Sequence, residues 1–203
     1  MSDCGCHIEA QNKEEAKTLW ILLAINFAMF VLEICAGVYA QSTALIADSI
    51  DMLADAGIYA IGIFAVGRAV EAKNRAARLS GVFQILIGLG IIADIVRRYL
   101  TGSDPVSLYM LAVGFVALIA NAICLKLIYK HRKGEAHMRA SYIFSKNDVI
   151  ANIGVIIAGA IVFYTHSPLP DLIIGSLISA LVVWGGVVII KDLTESKETK
   201  SCS

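Results

Sequence analysis

Three carboxylates fall three and four residues apart in Ala44-Leu-Ile-Ala-Asp48-Ser-Ile-Asp51-Met-Leu-Ala-Asp55-Ala-Gly57, and a fourth acid, Asp148, stands in Ser145-Lys-Asn147-Asp148-Val-Ile-Ala-Asn152. At about 100° per residue, Asp48, Asp51 and Asp55 share one helical face, while Ile50, Leu53, Ala54 and Ile58 take much of the remainder. Both stretches lie inside otherwise apolar sequence. An acid near a bilayer centre costs roughly 2.5–3.5 kcal/mol on insertion scales, so three together require a cation, a proton or a watery cavity. The first reading is a cation site.

The second stretch repeats the logic of the first. Ser141, Ser145, Asp148 and Asn152 share a face, and Asp51-Met-Leu-Ala-Asp55-Ala-Gly57-Ile can be laid on Asp148-Val-Ile-Ala-Asn152-Ile-Gly154-Val. Two helices that each present oxygen ligands at i and i+4 can close a four-ligand site that neither closes alone. The candidate metal-binding residues are therefore Asp51, Asp55 and Asp148, with Asn152, Asn147 and Asp48. Asp48 lies a turn further toward one end and reads as a group acting on protons or on the ligands' surroundings.

Elsewhere the signals are sparser. Cys4-Gly-Cys6-His7 offers two thiols and an imidazole to a soft or borderline ion such as zinc or copper, with Cys202 as a further thiol; the alternative is a solvated arm. Asn26 reads as an interhelical hydrogen bond or as a functional amide, and Glu33 sits too deep to snorkel, as a proton-linked or charge-pairing acid. Asn121 reads as another interhelical contact, and Gly81, Gly88 and Gly90 as points of close helix packing. His131 and His137 lie in a basic connection that reads as a solvated loop setting topology, against a metal relay.

The elements that carry these residues follow from composition. With 58% hydrophobic and 17% charged residues in 203, and a mean hydropathy of +0.73, the chain falls outside the soluble globular range. It reads as an all-α membrane protein with six transmembrane helices, at Leu19–Ala40, Ala44–Val66, Leu79–Leu100, Val106–Tyr129, Tyr142–Thr165 and Pro170–Ile190. The second and fifth are the least apolar, and a hydropathy window alone is liable to pass over either.

Net charge is zero, yet Lys and Arg are concentrated in the amino-terminal arm, in the connections at Arg68–Arg78 and Lys130–Arg139, and in the tail. By the positive-inside rule both termini are cytoplasmic. Arg97 and Arg98 run against it, but Asp94 is one turn from Arg98 and available to pair. This divides the chain into a cytoplasmic arm at 1–18, a six-helix transporter domain at 19–190 and a short cytoplasmic tail at 191–203. The arm is polar and acidic and the first span too long for a signal peptide's apolar region, so no cleaved leader is expected. Five cysteines, two of them within spans, imply no disulfide framework.

The second helix, Ser42-Thr-Ala-Leu-Ile-Ala-Asp48-Ser-Ile-Asp51-Met-Leu-Ala-Asp55, together with Asp148 on the fifth, resembles the cation diffusion facilitator (cation efflux) family, over nearly the whole membrane part. The resemblance implies six spans with cytoplasmic ends, a metal site of four residues on the second and fifth helices, and Asp51, Asp55 and Asp148 among them. The family often has His one turn before Asp148, where Phe144 stands; phenylalanine cannot ligate, which leaves Asn147, Asn152, Ser145 or water as the fourth ligand. The family also commonly carries a soluble α/β domain after the sixth span, where residues 192–203 stand here, so a short form is expected.

By that resemblance the chain is a multi-pass cell (inner) membrane protein and a homodimer in the lipid bilayer. It exchanges a divalent cation (zinc, cobalt, cadmium, iron or manganese) for protons by alternating access, with the cation as cargo and no resident cofactor. Carboxylates that bind an ion when deprotonated take up protons once it leaves, so one site can serve both cations. No GxxxxGK[ST] motif points to ATP, no nucleic-acid partner is indicated, and no His in the polar helices stands ready as the base of a metal enzyme, so no catalytic residue is assigned. A non-transporting membrane metal sensor or assembly subunit is the alternative.

Overall fold

The structure is a computed structural model that describes residues 4–65, 70–130, 132 and 136–201. It contains six α-helices and, among the described residues, no strand: α1 Cys4–Tyr39, α2 Thr43–Ala65, α3 Val70–Thr101, α4 Ser107–Tyr129, α5 Ala136–Thr165 and α6 Leu169–Ser201. Each expected span lies within a residue or two of its helix, except where α1, α3, α5 and α6 continue past the apolar stretch at one end. Four helices are long and apolar enough to cross a membrane on the described residues, with spans at Ala16–Tyr39, Ser107–Tyr129, Ser145–Thr165 and Leu169–Lys191. The acid-bearing α2 is not among them, as anticipated, whereas α5 is: its polar residues crowd one end and leave Ser145–Thr165 apolar enough.

The arrangement inverts that of a soluble protein. Large apolar side chains such as Trp20, Phe27, Leu86, Phe115, Phe163 and Trp184 point outward, while Asn26, Glu33, Asp48, Asp55, Asn121, Asp148 and Asn152 are buried. In water such a surface would be a liability; against lipid it costs nothing, and the backbone polar groups are satisfied inside each helix. The chain is a multi-pass membrane protein.

α2 is the central element and packs on α1, α3, α5 and α6. α1 pairs with α2 and α4, α4 with α5, and α3 with α6. One core runs through Leu45, Ile50, Ile91, Met110, Val155 and Val182 and so ties α2 to α3, α4, α5 and α6. A second cluster, Met29, Met52 and Ala117, joins α1, α2 and α4.

Close approach rests on small residues, because two helices without a hydrophobic drive between them gain by bringing backbones together. A Cβ on Gly186 would lie 2.7 Å from the Gly81 carbonyl oxygen, and one on Gly88 would lie 2.6 Å from a Val183 methyl, so α3 and α6 meet where neither tolerates a side chain. Gly90 departs from expectation: nothing lies within 4 Å of where its Cβ would be. It is two residues from Gly88, hence about 200° around the helix, and faces away from α6.

The end of the bundle nearest the α1–α2 turn is held by polar contacts. Asp94 accepts from Arg97 and Arg98 at 2.6 Å each, which bears out the expected Asp94–Arg98 pair, and Arg98 also donates to the Gln41 carbonyl. Gln41 has φ 52, the left-handed backbone of a sharp reversal. The Val106 amide donates to the Ala40 carbonyl at 2.9 Å, which ties the start of α4 to the same turn.

Candidate metal centre

The position of the acids depends first on how α2 begins. Ser42 caps it, its Oγ accepting from the Leu45 amide at 3.2 Å. The same hydroxyl donates to Asp171 Oδ1 of α6 at 2.6 Å, and the Asp171 carboxylate also accepts from the Thr43 and Ala44 amides at 2.7 and 3.1 Å. A buried carboxylate thus takes up the unpaired amides of the first turn and sits at the positive end of the helix. Gly175 makes the approach possible, since a Cβ there would lie 3.0 Å from the Thr43 backbone. Asp171 escaped the sequence reading; an acid directly after Pro170 at the head of an apolar span was the available signal.

From that anchor the acids descend α2 in two tiers. The tier nearer the turn joins Asp48 to Glu33 of α1 and Asn152 of α5. Glu33 and Asp48 carboxyl groups are within hydrogen-bonding reach of each other. Asn152 Nδ2 donates to Asp48 Oδ2 at 2.8 Å, and Asn121 Nδ2 of α4 donates to Asn152 Oδ1 at 3.4 Å. The expected interhelical role of Asn121 is therefore met. Asn26 makes its own contacts farther along α1, donating to the Leu22 carbonyl at 2.9 Å and to the Cys124 sulfur at 3.8 Å.

The second tier brings Asp55 and Asp148 together across α2 and α5, again within hydrogen-bonding reach. Both are buried. Tyr59 closes this tier on its far side, its hydroxyl donating to Asp55 Oδ2 at 3.1 Å and sharing a hydrogen bond with Ser145 Oγ at 3.3 Å. Tyr59 was also missed, although it lies four residues from Asp55 and so on the same face. Asp51 falls between the tiers, half-buried, and interacts electrostatically with Asp48, Asp55 and Asp148.

Not every candidate joins them. Asn147 is exposed and lines an outward groove with Ile150, Gly154 and, on α6, Ile174 and Leu181; a residue adjacent to Asp148 is about 100° away around the helix. The structure does not bring Asn147 to the other candidates. The side chains of Phe144, Ser141, Cys4, Cys6, His7, His137 and Cys202, and residue His131, lie outside the described residues. Among the described residues no three His, Cys, Asp or Glu side chains converge as a set able to hold a metal ion. Glu33 with Asp48, and Asp55 with Asp148, are instead grouped in pairs across helices, with Asp51 between them. Such an arrangement supplies hard oxygen ligands from α2 and α5, with the amide of Asn152 beside them.

A family model described as the cation efflux transmembrane domain matches residues 19–196. Among similar proteins, the zinc transporter ZitB of Pectobacterium atrosepticum is 26% identical over 199 residues, a match covering 92% of this chain and 61% of that protein. The cadmium, cobalt and zinc/H(+)-K(+) antiporter of Bacillus subtilis is 23% identical over 200 residues, covering 92% of this chain and 63% of the relative. The metal cation efflux system protein CzcD of Cupriavidus metallidurans is 26% identical over 188 residues, covering 87% and 60%. The chain thus spans about 60% of the length of these curated relatives.

Proposed function

This chain belongs to the cation efflux family, and from that premise we propose that it exports a divalent metal cation from the cytoplasm, with protons moving the other way, through the acids of α2 and α5. The observation that carries the reading is the buried Asp55–Asp148 pair, drawn from two helices and bracketed by Tyr59 and Ser145. Two buried carboxylates facing each other repel when both are charged; a divalent cation or a proton between them relieves that repulsion. Asp51 supplies a third oxygen ligand and water the fourth, since Asn152 is engaged by Asp48 and Asn121.

The same chemistry couples the two ions. A carboxylate must shed its proton to take a metal, so each half-cycle clears the site for the other cation. Alternating access then requires only that α2 and α5 open to one side at a time, as packed helix pairs do in secondary transporters. The relatives named for zinc, cadmium and cobalt support a divalent cargo from that group, with manganese and iron also suited to oxygen ligands. We place the protein in the cell (inner) membrane, as a homodimer with both termini in the cytoplasm.

The test is flux. In proteoliposomes, zinc entry should be accompanied by proton counter-movement, read with a pH-sensitive dye, and Asp55→Asn or Asp148→Asn should abolish both while leaving insertion unchanged. Metal binding without flux in the wild type would instead make the chain a non-transporting sensor.

A further inference from the structure

In the tier at Glu33 and Asp48 two buried carboxyl groups face each other, and neighbouring groups supply no donor to most of their oxygens. Glu33 is fully enclosed, and both of its carboxylate oxygens lack a hydrogen-bond partner; so do Oδ1 of Asp48 and Oδ1 of Asn121. All are acceptors. The amides of this layer donate elsewhere, Asn152 Nδ2 to Asp48 Oδ2 and Asn121 Nδ2 to Asn152 Oδ1, and none reaches Glu33. Their direction leaves acceptor oxygens bare, the opposite of what a pair of buried acids needs from its neighbours. Among the described residues neither Glu33 nor Asp48 has a Lys or Arg partner.

Packing encloses the layer. Met29 and Met52 lie one turn from Glu33 and Asp48 on the side away from the α1–α2 turn, and with Ala117 of α4 they close that side of the layer. Asp48 and Asp55 are seven residues apart on α2, a rise of about 10 Å, which separates this layer from the Asp55–Asp148 pair by more than one ion's coordination shell.

We propose that Glu33 and Asp48 form a second divalent-cation site, a stop between the Asp55–Asp148 pair and the end of the bundle at the α1–α2 turn. Two carboxylates balance one divalent charge, and all the ligand atoms are hard oxygens. The proposal rests on the transport reading and adds to it that a second ion is held about 10 Å from the first. A path with two sites lets each ion leave without climbing out of a single deep well.

The experiment counts ions. Purified full-length protein carrying Cys4→Ser, Cys6→Ser and His7→Asn, so that the amino-terminal thiols and imidazole take no part, is titrated with Mn2+ alone at neutral pH and the bound ion counted by electron paramagnetic resonance. The expected result is two Mn2+ per protomer, one with Glu33→Gln, one with Asp55→Asn, and none with both. One Mn2+ in the starting protein, removed by Asp55→Asn, overturns the second site and leaves the transport reading standing. Two Mn2+ that survive Asp55→Asn but fall to one with Glu33→Gln support the second site and count against the Asp55–Asp148 assignment. Should Glu33→Gln fail to fold, Asp55→Asn decides alone: one retained ion supports the proposal, none overturns it.

Discussion

Tyr59 has the smallest change that tests how the Asp55–Asp148 pair is held. Its ring is buried, and its hydroxyl bridges Asp55 of its own helix to Ser145 of α5. Tyr59→Phe keeps the ring and removes only the bridge, so folding should lose about 1 kcal/mol, an ordinary hydrogen bond's worth. Metal affinity should fall further, roughly 10- to 100-fold, as when a group that orients a ligand is lost. Isothermal titration beside a thermal melt separates the two effects; an unchanged Kd would show that Tyr59 does not orient Asp55. The proposed ligands should behave differently: Asp51→Ala, like Asp55→Asn, should remove metal tolerance in a sensitive host, and a tolerant Asp51→Ala strain would remove Asp51 from the set.

At the scale of elements, α2 is positioned by what it lacks at its first turn and what its neighbours supply. Asp171 of α6 satisfies the Thr43 and Ala44 amides and the Ser42 hydroxyl, three donors at once. Asp171→Ala should therefore cost about 1–3 kcal/mol from buried donors left unpaired, and should lower flux by loosening the register of α2 against α6. A detergent melt that matches the wild type would contradict that role. The α3–α6 seam makes the complementary case, since it depends on absent side chains rather than present ones. Gly186→Val puts branched bulk where a Cβ alone would approach the Gly81 oxygen to 2.7 Å, and overpacking of this kind costs about 1–3 kcal/mol. Gly90→Ala, with open space around it, should be neutral or slightly stabilising in the same melt.

For the whole molecule, the outward apolar surface and inward acids make the bilayer part of the fold and leave the acids an interior of their own. In the proposed mechanism protons and metal compete there for the same carboxylates. Lowering pH should raise the Kd for metal, because each protonated acid must release its proton before it can ligate, and raising pH should lower it. Titration of zinc binding from acidic to neutral pH checks the sign, and a pH-independent Kd would remove the competition on which antiport depends. Orientation is testable on the same protein: an impermeant maleimide should reach Cys4 and Cys202 only from the cytoplasmic side of sealed vesicles.

The sequence alone determined what depends on one helix at a time. Apolar length sets the six helices, because lipid tolerates no unsatisfied backbone, and helical period puts Asp48, Asp51 and Asp55 on one face. The Asp94–Arg98 pair was legible for the same reason, its partners being one turn apart. For Asn147 and Gly90 the sequence reading went by residue type, as ligand and packing point, and the structure turns both outward, about 100° from Asp148 and 200° from Gly88. Tertiary structure decided which faces meet. Glu33 comes beside Asp48 because α1 reverses at Gln41 and returns at the same depth; Asp171 reaches Ser42 because Gly175 lets α6 close on α2; and Asp148 meets Asp55 because α5 packs on α2. A periodic pattern fixes directions relative to a helix's own axis, and only packing between axes converts those directions into neighbours.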